Sequence, residues 1–191
     1  MERMKEKPRC TRKGTSVPSG AVAIWWLGQL SFVVKGQGRT LGFDLYLSDY
    51  PGNVNRSYPP LVKPAELRGL DLVFCTHDHI DHLDPWTLQP LAEASPEAVV
   101  VTPELCVPQA TRAVPPGRVV GSRADGLLRL KDVEIWPIPA AHDRLEDAEG
   151  GHRNAFIFFD DGSDRVKRIL IGTHLPRTSK IWDKIVSYPS T

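Results

Sequence analysis

Apolar positions in this chain fall in short runs broken by glycine, proline and polar residues. Residues 22–27 and 30–34 are apolar and rich in β-branched and aromatic side chains, and Gly28-Gln29 joins them. That pattern predicts a hairpin. Residues 40–44 predict a third strand ending at Asp44, and residues 70–75 a buried one. Pro85–Ala94 predicts a helix, with Asp84 as N-cap, Pro85 in the first turn, and Leu88, Leu91 and Ala92 as its apolar stripe. Residues 99–101 predict a strand and 104–113 a second short helix. Further strands are expected at 119–120, 127–130, 133–138, 154–159 and 166–171. Strands outnumber helices, and the helices lie between blocks of strands. Two packed sheets flanked by helices, an α/β architecture, accommodate this order.

Between these elements, residues 45–64 carry four prolines and read as a long irregular loop. A loop of that length is either functional, here one wall of a substrate cleft, or a disordered surface segment. Residues 1–20 are charged and then rich in Gly, Ser and Pro, and read as a mobile arm. Trp25 and Trp26 are adjacent, so on a strand they point to opposite faces. One is expected in the core, the other at the site or at an interface.

Composition narrows the function classes. The chain has 191 residues, one domain's worth, with 24 Lys+Arg against 23 Asp+Glu. That balance gives no electrostatic case for a nucleic-acid or membrane partner. No run approaches the length of a membrane span, and the first residues lack the apolar core of a secretory signal. The three cysteines, Cys10, Cys75 and Cys106, form no Cys-x-x-Cys pair, which suits a reduced, cytoplasmic setting. Cys75 ends an apolar run and reads as a small buried hydrophobe rather than a ligand.

The chemistry concentrates in one run, Thr76-His77-Asp78-His79-Ile80-Asp81-His82-Leu83-Asp84, with three imidazoles and three carboxylates. It follows the buried strand at 70–75. Imidazole and carboxylate donors suit Zn, Mn or Fe, and His-x-His-x-Asp-His is far more specific than an isolated His-x-His. The loop can hold His77 and His79 on one ion and offer Asp81 and His82 to a second. Asp44, at the end of its strand, is either a brace behind this loop or a strand-end cap. His142 follows the strand at 133–138 and is a third imidazole for the first ion, or else an exposed loop residue beside Asp143 and Arg144. His152, in an acidic Gly-rich stretch, reads as a surface histidine.

His77-x-His79-x-Asp81-His82 resembles the signature of the metallo-β-lactamase fold. Ile24-Trp25-Trp26-Leu27-Gly28, Gly42-Phe43-Asp44, Val133-Glu134-Ile135, Ala141-His142-Asp143-Arg144 and Arg153-Asn154-Ala155-Phe156-Ile157-Phe158 resemble its L-ascorbate-6-phosphate lactonase branch. The resemblance covers residues 21–175 and leaves 176–191 as a divergent tail. It implies an αββα sandwich and hydrolysis of a lactone or ester, with an anionic sugar lactone as substrate class, by metal-bound hydroxide. His77, His79 and His142 would hold one Zn or Mn ion. Asp81 and His82 would hold a second, Asp81 orienting the water. A metal-dependent phosphodiesterase of the same fold is one alternative, which the neutral charge disfavours.

The resemblance also has a gap. The family carries a Ser-Gly-Asp-Thr/Ser-His segment whose Asp bridges the two ions. Here the matching stretch is Ile171-Gly172-Thr173-His174, with glycine at the Asp position. No counterpart of the family's second half follows. The expectation is therefore an N-terminal portion of the fold whose open sheet face demands a partner or a second copy. On that expectation an inactive homologue with a binding or regulatory role is the other alternative.

Overall fold

Strands that are apolar on both faces need a layer on each side, and the central strands here meet that requirement. In the computed structural model, which describes residues 15–49, 58–123, 126–139, 154–158 and 169–171, two sheets pack together. The first contains β1 (Val22–Gly28), β2 (Ser31–Gly36), β3 (Arg39–Phe43), β4 (Leu72–Phe74), β5 (Val99–Pro103) and β6 (Val119–Ser122), in that spatial order. The hairpins β1–β2 and β2–β3 are antiparallel, whereas β3 through β6 run parallel. The second sheet is antiparallel and contains β7 (Leu128–Leu130), β8 (Val133–Pro139), β9 (Asn154–Phe158) and β10 (Ile169–Ile171).

Alternation sorts the side chains of the first sheet. Val34, Leu41, Phe43, Leu72, Phe74 and Val101 point toward the second sheet, where Val133 and Ile135 of β8 meet them. Phe43 and Phe74 stack there with ring centroids 4.9 Å apart. Val33, Val73 and Val100 point the other way, into a larger cluster with Leu83, Leu88, Leu91, Cys106 and Ala110. That cluster is closed by α1 (Pro85–Ala94) and by the short α2 (Val107–Ala110). Gly42 faces this side, and a Cβ there would lie 2.7 Å from Leu45 Cδ1, so a side chain at this position would force Leu45 to shift where the chain after β3 folds back over the strand.

Several expectations shift. The hairpin turns at Gln29-Leu30, so β2 begins at Ser31 rather than at Leu30. The helix expected over 104–113 is a 3-10 turn at Glu104–Cys106 followed by one α-turn at Val107–Ala110. Pro108 has no N–H to give the Glu104 carbonyl, so an α-helical ladder cannot start at Glu104. The start of the 45–64 segment is no surface loop, since Leu45, Tyr46, Leu47 and Ser48 are all buried. Trp25 packs against the helix-side core, and Trp26 is 60% exposed with its indole N–H donated to the Gln29 carbonyl. Cys75 is buried in the helix-side core, as the apolar run implied. Among the described residues no helix is long and apolar enough to cross a membrane. Residues 1–14 of the arm expected over 1–20, and the tail at 176–191, lie outside the described residues.

Candidate metal centre

β4 delivers the His-rich run to the carboxyl end of the parallel strands, between the ends of β3 and β5. The Cys75 N–H donates to the Val101 carbonyl at 2.9 Å, and the Asp44 N–H to the Phe74 carbonyl at 2.8 Å. These bonds continue the ladder just past the strand ends and set Asp44 beside Thr76. From there the chain turns tightly, and the His79 carbonyl accepts the His82 N–H at 2.9 Å and the Leu83 N–H at 2.8 Å. The turn returns His82 to the buried side, next to His77. Asp84 then caps α1 by accepting the Trp86 N–H at 3.0 Å and the Thr87 hydroxyl at 2.5 Å.

Asp44 is the brace rather than a strand-end cap. It is almost fully buried, with φ of 42°, a left-handed conformation that Asp tolerates better than most residues. Its Oδ1 accepts the Thr76 N–H at 2.8 Å, and its Oδ2 accepts the Thr76 hydroxyl at 2.9 Å. His82 Nδ1 lies 3.0 Å from the same Oδ2. Burial pushes the Asp44 carboxyl above the usual carboxylate range, and hydrogen bonds from His82 and Thr76 pull it back.

With Asp44 ionised, this network assigns two imidazole tautomers. A carboxylate only accepts, so His82 Nδ1 carries the proton and its Nε2 carries the lone pair. The Thr76 hydroxyl spends its single proton on Asp44. Its oxygen, 3.1 Å from His77 Nδ1, can then only accept, which leaves the lone pair of His77 on Nε2 as well. A buried carboxylate that takes the far N–H of an imidazole is the arrangement that orients metal-binding histidines.

The structure brings four of the five expected ligands together. The His77 and His82 ring centroids are 3.9 Å apart, and His79 stands edge-on to His77 at 4.5 Å. His82 Nε2 lies 3.6 Å from Asp81 Oδ2. His77 and His82 are buried, Asp81 is half-buried, and Asp78 and His79 are exposed. Among the described residues no three such side chains close around a single ion. The donor set nevertheless fits a divalent transition metal: three imidazoles, at least two presenting Nε2, beside one carboxylate. The fifth ligand, His142, lies outside the described residues, as do Asp143, Arg144, His152, Gly172 and His174.

Two residues at the site were not foreseen. The buried Ser31 hydroxyl donates to the Asp44 carbonyl at 2.9 Å and accepts the Tyr46 N–H at 2.9 Å. Gln109, on α2, donates through Nε2 to the Asp78 carbonyl at 3.1 Å and steadies the outer part of the loop. Nothing in local sequence marks either contact, because the partners are 13 and 31 residues away.

A two-sheet α/β fold with a His/Asp loop at the end of a central strand is the architecture of the metallo-β-lactamase type. The chain belongs to the beta-lactamase superfamily domain family, whose profile matches residues 42–167. It is 27% identical to a UPF0173 metal-dependent hydrolase of Pyrobaculum neutrophilum over 67% of this chain and 54% of that protein. It is 25% identical to the Probable L-ascorbate-6-phosphate lactonase UlaG of Shigella boydii serotype 4 over 82% of this chain and 52% of that protein. The chain thus spans about half the length of these curated relatives. Among solved structures it resembles Igni18, a metallo hydrolase from Ignicoccus hospitalis, with a TM-score of 0.56 and 22% identity over 83% of this chain and 63% of that one.

Proposed function

We propose that this chain carries the principal metal-binding loop of a metal-dependent hydrolase that opens a lactone or ester. The observation behind this reading is the Asp44–Thr76 brace, which turns His77 and His82 so that each presents Nε2. In this reading His77, His79 and His142 hold one ion, Zn or Mn, while Asp81 and His82 hold or border a second. A divalent ion supplies, when bound, a lowered pKa for coordinated water and polarisation of the substrate oxygen. Asp81, with Oδ2 beside His82, orients the attacking water and takes up its proton. His77 and His82, buried and held at Nδ1, keep the donor geometry fixed through the reaction, since rotation of either ring would break its bond to Thr76 or Asp44.

The substrate class, a small and anionic sugar lactone, is supported by the similarity to the lactonase over most of the chain. Turnover of lactones, aryl esters and phosphodiesters, by the chain loaded with Zn or Mn, tests the proposal. Lactone or ester hydrolysis that is abolished in Asp81→Asn supports it. Phosphodiester hydrolysis alone points to the phosphodiesterase alternative.

A second reading rests on Gly172, which stands where the family carries a bridging carboxylate. In that reading the chain binds metal but turns substrate over weakly or not at all. Metal binding without turnover, and tighter binding in Gly172→Asp without restored activity, is the outcome it requires.

A further inference from the structure

We infer that Ser31 is a positioning residue of the metal centre, acting on His82 through Asp44; the inference rests on the metal-binding reading above. Asp44 can orient His82 only if its own backbone is held. Its φ of 42° is a conformation that costs free energy in a non-glycine residue and persists where surrounding contacts determine it. Upstream, the Asp44 N–H is fixed to Phe74 of β4 at 2.8 Å. Downstream, the chain turns back over Gly42, and the Ser31 hydroxyl grips both sides of that turn. It donates to the Asp44 carbonyl and accepts the Tyr46 N–H, each at 2.9 Å, so one oxygen bridges the peptide groups flanking Leu45. Ser31, Asp44, Leu45 and Tyr46 are all buried, so water cannot readily replace the hydroxyl.

Ser31 is itself placed by the β1–β2 turn. Gly28 pairs with Ser31 across a bulge, with φ of 108°, and a Cβ on Gly28 would sit 2.9 Å from the Tyr58 hydroxyl oxygen. The turn therefore packs closely, and Ser31 enters the core beside Val33 instead of facing solvent. The hydrogen-bonded sequence runs from Ser31 to the Asp44 backbone, through its carboxylate, to His82 Nδ1. Removing the hydroxyl frees the Asp44 peptide to rotate and its carboxylate to swing away from His82. The His82 proton is then no longer held on Nδ1.

The test compares the wild-type chain with Ser31→Ala, Ser31→Cys and Ser31→Thr, using Val114→Ala as a control that loosens the helix-side core without touching the Ser31–Asp44 hydrogen bonds. Two readouts are taken at one fixed pH: Zn affinity by chelator competition, and the His82 tautomer in metal-free protein from 15N chemical shifts. The inference predicts that Ser31→Ala loses Zn affinity by about ten- to a hundred-fold, as for other residues that orient metal ligands. It also predicts a mixed His82 tautomer in Ser31→Ala, partial loss in Ser31→Cys, and retention in Ser31→Thr and Val114→Ala. A folded Ser31→Ala with wild-type affinity and an unchanged tautomer overturns it. Failure of both Ser31→Ala and Ser31→Cys to fold also overturns it, because the hydroxyl would then serve the whole fold. If the wild type binds no Zn, the metal-binding reading fails, and the tautomer alone still decides whether Ser31 sets the orientation of His82.

Discussion

Asp44 and Asp84 flank the His-rich loop, one before it in space and one after it in sequence, and both carboxylates are buried. Asp84 spends its oxygens on α1, on the Trp86 N–H and the Thr87 hydroxyl, and so fixes where the loop ends. Asp44 spends its oxygens on the loop, on the Thr76 N–H, the Thr76 hydroxyl and His82. Two chemically identical groups, equally buried, thus serve a helix terminus in one case and ligand orientation in the other. What separates them is which hydrogen-bond donors the fold places around each.

The comparison is broken most severely by Asp44→Ala. Thr76 N–H and the Thr76 and His82 side chains lose a buried acceptor, at about 1–3 kcal/mol of stability for each group left unsatisfied. Metal affinity should fall by about a hundred-fold, the upper range for lost support of a ligand. Chemical denaturation and chelator competition measure the two losses. Asp84→Ala should cost about 1–2 kcal/mol of stability, as other lost N-caps do. It should leave the His82 tautomer and metal affinity intact; a large loss of affinity would erase the distinction between the two carboxylates.

Gln109→Ala tests the exposed side of the loop. Gln109 makes one neutral hydrogen bond to the Asp78 carbonyl, so its loss should weaken metal binding by no more than about tenfold. A larger effect would mean that the outer half of the loop is held as firmly as the inner half.

The smallest effect expected concerns Cys106 behind the loop. Burial, with a contribution from the Asp78 charge, raises its thiol pKa from 9.0 to about 11. A raised folded-state value favours the protonated thiol. The stability linked to it is therefore complete below the ordinary thiol range and is lost as pH rises toward about 11. In the native chain near pH 8, alkylation at Cys106 should be slow and limited by unfolding, as peptide mapping after timed labelling would show.

Much of the fold was legible because its signals are local. The β-branched runs at β2, β4 and β5 are apolar on both faces since a layer covers each face. Asp84, Pro85 and the stripe of Leu88, Leu91 and Ala92 announced α1, although Thr87, a buried polar residue tied to the Leu47 N–H at 2.8 Å, was invisible in that stripe. The metal loop was legible because four candidate ligands lie within six residues. Asp44 could be located but not assigned, since a strand-end Asp serves equally as cap or brace until its partners are known. Ser31 and Gln109 were not legible: a serine after a turn and a glutamine on a helix are common, and only long-range pairing gives them a role. The helix expected over 104–113 failed on a detail that was in the sequence, the missing N–H of Pro108, which outweighed the apolar pattern around it.

The central claim is that the Asp44–Thr76 pair presents His77 and His82, with His79 and Asp81, as ligands for a divalent transition metal. Elemental analysis of the purified chain, after equilibration with Zn or Mn and removal of free metal, tests it most directly when repeated on the His77→Ala, His79→Ala double variant. The account predicts close to a single tightly held equivalent in the native chain and its loss in the double variant, with both proteins folded. Equal metal in the two proteins, or none in the native chain, would contradict it.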